Sequence, residues 1–114
     1  MNAYSTRGHA PVVSIADAIS AGLAPDGGLY MPDAWPQFHV KEFDDAHTLA
    51  DVAIRFLAPF FAGGALEAAL PGICRDALAF DPPLAGFGKP DDFLLELFHG
   101  PTAAFKDYGA AFLA

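Results

Sequence analysis

A chain of 114 residues with 54% hydrophobic residues and eleven Phe holds enough apolar material for one domain's core, which excludes a disordered segment. Fourteen Asp and Glu against six Lys and Arg leave a formal charge of -8, so the basic patch of a nucleic-acid surface is missing. The single cysteine, Cys74, excludes an internal disulfide and fits a reducing cytosol.

The first residues carry Ser5, Thr6, Arg7 and His9 rather than an apolar export signal. The longest uncharged stretch, Phe56 to Leu66, is broken by Pro59 and Gly63-Gly64 and falls short of the roughly 20 apolar residues that cross a bilayer. No membrane contact is therefore expected.

Ala3 to Thr6 reads as a short strand that Arg7-Gly8 turns. Val12 and Val13 extend a strand or staple the helix that follows. Ser14 is placed to cap that helix, with Asp17 in its first turn, Ile15, Ala18, Ile19 and Leu23 as the apolar face, and Gly22 at the end. Pro25-Asp26-Gly27-Gly28 is turn chemistry, followed by a short strand Leu29 to Met31 that Pro32 stops. Trp35-Pro36 and Phe38 cover the core edge without regular structure.

Thr48, with Asp51 three residues on, opens the clearest helix, expected to reach about Phe60. Leu49, Val52, Ala53, Phe56 and Leu57 form its stripe, and Pro59 is expected to bend or end it. A short helix over Ala65 to Leu70 and a third over Ile73 to Phe80 are predicted on either side of Pro71-Gly72, with Arg75 and Asp76 outward. Asp81-Pro82-Pro83 is the expected boundary of this helical layer. A turn over Gly86 to Asp92 then leads from an irregular strand into a strand Phe93 to Phe98.

The last stretch concentrates the chemistry. The strand should end by Gly100, because Pro101 cannot donate to a ladder. Thr102 is the expected N-cap of a helix carrying Phe105, Tyr108 and Phe112 on one face, with Lys106, Gly109, Ala110 and Leu113 beside it. Helix-start position and burial against Phe98 and Phe105 would both disfavour the Lys106 ammonium and favour the free amine that attacks aldehydes. From spacing alone, a single helical lysine is more often a solvated surface residue. The helix pattern is still apolar at Phe112-Leu113-Ala114, with no stop signal, so the chain reads as stopping where a pattern is still running.

His9, His39, His47 and His99 show no metal spacing, and no metal site is expected. His99 either shapes a pocket or ends the strand. No Gly-x-Ser-x-Gly elbow occurs, and Gly86-Phe87-Gly88 lacks the third glycine of a dinucleotide fingerprint.

Leu95-Glu96-Leu97-Phe98-His99-Gly100-Pro101-Thr102, followed by Ala104-Phe105-Lys106-Asp107, closely resembles the lysine motif of the threonine synthases. Tyr4-Ser5-Thr6-Arg7-Gly8 and the run Gly22 to Pro32 resemble that family's opening, in the same order and at a similar distance. One departure is Ala103, where a larger apolar residue is common. The resemblance implies that Lys106 forms the Schiff base with pyridoxal 5'-phosphate, with Phe105 beside the cofactor. Phe105 and Asp107 would hold the lysine's helix in place rather than react. The implied reaction converts O-phospho-L-homoserine and water to L-threonine and phosphate, in the cytoplasm.

The fold class expected is α/β, or α+β-like, with a few short strands and three or four packed helices. Residues 1 to 80 would form the N-terminal domain. Residues 81 to 114 would supply the first strand and helix of a fold-type II pyridoxal-phosphate domain. The cofactor's phosphate cradle would lie beyond the chain, so the chain alone should bind no cofactor and be inactive, packing on a missing catalytic domain or self-associating. Two alternatives stand beside this reading: a related phospho-lyase on another substrate, and a non-catalytic interaction module. Product analysis separates the first; a reading frame continuing into a Gly-rich phosphate loop excludes the second.

Overall fold

The computed structural model describes residues 1–80 and 82–114, so the Asp81 end of the expected boundary lies outside the described residues. Strand β1, Asn2–Ser5, is the centre of a three-stranded antiparallel sheet of order β2-β1-β3. Strand β2, Val13–Ser14, pairs Val13 with Ala3; strand β3, Tyr30–Pro32, pairs Met31 with Tyr4 and Pro32 with Ala3. Pro32 joins the strand rather than stopping it, because β3 is an edge and its missing N–H faces no neighbour there. Burial along β1 alternates, with Ala3 and Ser5 inward and Asn2 and Tyr4 outward, the period of two that a one-sided sheet requires.

Helix α1, Ile15–Ala21, begins as its caps predict. The Asp17 N–H donates to the Ser14 hydroxyl oxygen at 3.1 Å, and Gly22 ends the helix at a φ of 70°. A 3-10 helix, Val40–Phe43, follows β3, and Phe38 stacks on Phe56 and meets Phe43 edge-on.

Helix α2, Leu49–Phe61, opens on a reciprocal cap. Asp51 N–H donates to Thr48 Oγ1 at 3.1 Å, and Thr48 N–H donates to Asp51 Oδ2 at 3.0 Å. Pro59 does not end α2, which continues two residues beyond it. Two other expectations fail nearby. Ala65 to Ala69 forms turns rather than a helix, and Pro71 opens helix α3, Leu70–Ala77, instead of interrupting one. In the first turn a proline lacks only an N–H that has no helical acceptor anyway. The core lies where α2 meets α3, with Phe61, Leu70 and Cys74 buried and Ile15, Ile54, Leu57 and Leu66 packed on them.

Beyond residue 82, strands β4, Leu84–Gly86, and β5, Phe93–Leu95, form an antiparallel hairpin. The strand predicted to run to Phe98 stops three residues earlier. Glu96 N–H still reaches the Pro83 carbonyl at 2.9 Å, but neither Pro83 nor Pro82 can donate back, so the ladder ends. Helix α4, Lys106–Leu113, then returns to the core, where Phe112 meets Phe61 edge-on with centroids 6.3 Å apart. Among the described residues no helix is long and apolar enough to cross a membrane.

Candidate functional site

The segment from Gly100 to Gly109 is built around a carboxylate. Thr102 does not cap α4 as expected; it donates instead. Its N–H reaches Asp107 Oδ2 at 2.8 Å and its hydroxyl donates to Asp107 Oδ1. Asp107 is 7% exposed, and its carboxyl is held below the usual range, first by the Thr102 hydroxyl and then by the Thr102 N–H. Ala103 between them takes a φ of 56°, a left-handed conformation that costs a non-glycine residue roughly 1–2 kcal/mol. Its N–H donates to the Gly100 carbonyl at 3.1 Å, closing the turn. The Ala103 side chain is exposed, so its small size leaves no gap here.

Lys106 is the first residue of α4 and is exposed. The expected burial against Phe98 and Phe105 does not occur, because those rings are 53% and 73% exposed. The three aromatics predicted on one face, Phe105, Tyr108 and Phe112, differ in burial, and Phe105 precedes the first residue of α4. Phe112 enters the core and Tyr108 packs on Phe80 at 4.7 Å, whereas Phe105 is exposed.

Lys106 and Phe105 instead line the wall of an apolar hollow of about 560 Å³, with Leu78, Leu95, Leu97 and Tyr108 around it. The Tyr108 hydroxyl is buried and has no hydrogen-bond partner among the described residues. Burying a hydroxyl without a partner is costly, which sets this atom apart from the apolar lining around it. An exposed primary amine on an apolar wall can add to an aldehyde, and an aromatic ring beside it can face a planar ligand. His99, which the sequence left as either a pocket-shaping or a strand-ending residue, pairs with Glu96 at 2.7 Å and stacks on Phe98.

A second assembly joins the two N-terminal motifs. Asp26 Oδ1 accepts from the Ser5 hydroxyl at 2.7 Å and from Gly28 N–H at 2.9 Å; Oδ2 accepts from the N–H groups of His9 and Ala10, each at 3.0 Å. Arg7 Nη1 donates to the Asp26 carbonyl at 3.1 Å. The Ser5 hydroxyl is the largest influence on the Asp26 carboxyl; burial opposes it, and the backbone donors of Gly28, His9 and Ala10 add to it, so that the pKa falls from 3.8 to about 2. A side chain on Gly28 would place its Cβ 2.1 Å from Ser5 Oγ. Sequence reasoning saw a turn at Pro25 to Gly28 and missed its long-range partners. The Asp-x-Gly spacing that bonds Asp26 to Gly28 was the only available signal.

No group of three or more His, Cys, Asp or Glu that could hold a metal ion comes together among the described residues. Cys74 is a buried free thiol whose pKa is raised by that burial.

Comparison with known proteins converges on one family. A family model described as "Threonine synthase N terminus" matches residues 3–78. The threonine synthase of Pseudomonas aeruginosa is 39% identical over 99% of this chain and 25% of its own length. That of Escherichia coli is 37% identical over 100% of this chain and 27% of its own. A crystal structure of PLP-bound threonine synthase from Brucella melitensis superposes with a TM-score of 0.85 at 41% identity, over 99% of this chain and 26% of that one. The chain thus spans about a quarter of the length of the relatives it matches.

Proposed function

The chain belongs to the threonine synthase family, and from that premise we propose that it forms the N-terminal quarter of such an enzyme. The whole protein converts O-phospho-L-homoserine and water to L-threonine and phosphate in the cytoplasm. The observation that carries this reading is Lys106, an exposed amine at the start of α4 on the wall of an apolar hollow, behind a turn held by Asp107.

Lys106 Nζ would hold pyridoxal phosphate through its aldehyde, and the same amine would move protons at the substrate carbons. Phe105 would lie against the cofactor. The unpartnered Tyr108 hydroxyl fits a site completed by groups outside these residues. When bound, the cofactor supplies an electron sink for charge developing next to the substrate amine. The phosphate cradle and the partner of the ring nitrogen come from the remaining three quarters of the family's length, so the chain alone is inactive and takes up no cofactor.

Residues 1 to 80 form the N-terminal domain and residues 81 to 114 open the cofactor domain. The end of the family match at residue 78 supports that division. Phe93, Leu94, Leu95 and Phe98, all about half exposed, are covered by the rest of the cofactor domain.

The test is made on the full-length enzyme and its Lys106→Ala variant. Borohydride should fix a pyridoxyl group on the Lys106 peptide, and O-phospho-L-homoserine should yield threonine and phosphate in equal amounts; Lys106→Ala should lose both. A pyridoxyl label on another lysine would overturn the assignment. A product other than threonine would make the protein a phospho-lyase of another substrate.

A further inference from the structure

Every side-chain bond of Asp107 closes on the turn that precedes Lys106. An acidic residue in the first turn of a helix ordinarily stands in solvent near the exposed N–H groups, where the helix dipole favours it. Asp107 does otherwise. It reaches back five residues, takes both donors of Thr102, and is buried in doing so. Gly100 makes this possible: a Cβ there would stand 2.5 Å from Asp107 Oδ2 and 2.8 Å from its Cβ. Ala103 is kept in its left-handed conformation between the two. Three separate features therefore converge on one short turn. They are an absent side chain at Gly100, two donors at Thr102 and a buried acceptor at Asp107.

The geometry points to Asp107 as a positioning residue for Lys106, with Thr102 and Gly100 as the other two parts of a lock that fixes where the amine can reach. The claim rests on the reading of Lys106 as the cofactor-binding amine. Lys106 adjoins the locked carboxylate in the chain, so its backbone is held from the turn on one side and from α4 on the other. A displacement of about 1 Å at a reacting group costs on the order of 100-fold in rate, which makes such a lock consequential.

The experiment compares the full-length enzyme with Asp107→Asn, Thr102→Val and Lys106→Ala. The rate at which added pyridoxal phosphate becomes fixable on Lys106 is followed by borohydride trapping and peptide mass. Amide exchange of the Thr102–Tyr108 peptide, kcat, KM and thermal melting of the cofactor-free protein are measured alongside. Asp107→Asn and Thr102→Val should speed exchange in that peptide and slow trapping and kcat by on the order of 10- to 100-fold, with KM unchanged. Trapping at the wild-type rate in both variants would overturn the proposal, as would losses that only follow the fraction of protein folded. Should Asp107→Asn fail to fold, Thr102→Val decides alone, because it removes one hydroxyl from an exposed, isosteric side chain. Uptake and turnover that survive in Lys106→Ala would instead remove the premise. That result is distinct from normal trapping on Lys106 in the two lock variants.

Discussion

The Ser5 hydroxyl donates to Asp26 Oδ1 at 2.7 Å, tying the central strand of the sheet to a turn 21 residues away. The same carboxylate collects backbone donors from Gly28, His9 and Ala10, so two of the chain's family-like motifs are one hydrogen-bonded unit. Its pKa of about 2 lies below the ordinary 3.8, so the folded state binds this proton less readily than the unfolded chain does. The stability it contributes is complete above the ordinary value and is lost as pH falls through about 2. Asp26→Asn puts an amide N–H₂ where acceptors are needed and should be less stable than wild type at pH 6. The gap in melting temperature between the two should narrow as pH is lowered from 4 to 2. A gap that stays constant over that range would remove Asp26 as the titrating group.

Glycines at two positions should respond to alanine in opposite directions. At Gly28 a Cβ would lie 2.1 Å from Ser5 Oγ and 3.1 Å from both the Arg7 nitrogen and Asp26 Oδ1. Gly28→Ala must displace the Asp26 unit and should destabilise by about 2 kcal/mol. At Gly72, inside α3, a Cβ meets nothing within 4 Å and no positive φ is required. Gly72→Ala should stabilise by roughly 0.5–1 kcal/mol, since alanine loses less backbone freedom in a helix. Urea midpoints of the two variants check both signs. A Gly28→Ala variant as stable as wild type would show that the Ser5 hydroxyl can be moved at little cost.

Local signals account for what was legible beforehand. The starts of α1 and α2 follow from Ser14 with Asp17 and Thr48 with Asp51, pairs whose partners lie three residues apart and need no tertiary structure. The place of Lys106 at a helix start followed from the Gly-Pro break before it. Pro71 misled because a proline reads as a breaker or as a first-turn residue, and only the packing of Leu70 and Cys74 on Phe61 decides which. Thr102 misled for a similar reason. A threonine ahead of a helix reads as an acceptor, whereas the bonds run from Thr102 to a carboxylate five residues on. The exposure of Lys106 is what helical spacing alone favours, whereas the exposure of Phe105 and the long-range partners of Asp26 depend on contacts that no spacing encodes.

The reciprocal cap of α2 gives a prediction of defined size. Thr48 Oγ1 accepts the Asp51 N–H, and the helix that follows supplies Phe61, Ile54 and Leu57 to the core. Thr48→Ala should therefore cost about 1 kcal/mol, while Thr48→Ser should cost little, because serine keeps the acceptor. Chemical denaturation of both variants makes the comparison. Equal losses would mean that the threonine methyl, and not the cap, carries the effect.

Helix α4 is anchored at the end opposite its lysine. Phe112 packs on the Phe61, Leu70 and Cys74 cluster, whereas neighbouring Leu113 is 65% exposed. Removing the half-buried Phe112 ring should destabilise by about 2 kcal/mol, below the cost of a fully buried phenylalanine. Leu113→Ala should stay within about 0.5 kcal/mol. The two changes should also differ locally. Phe112→Ala frees the aromatic contact from α4 to Phe61 of α2, so hydrogen exchange should accelerate along Lys106–Leu113 before it does in β1 and β3. The anchor at Phe112 and the lock at Asp107 hold the same helix from its two ends. Loosening either one should widen the range of positions open to Lys106. If exchange in α4 is unchanged in Phe112→Ala, the helix is held by its first turn alone, and Asp107 becomes its principal restraint.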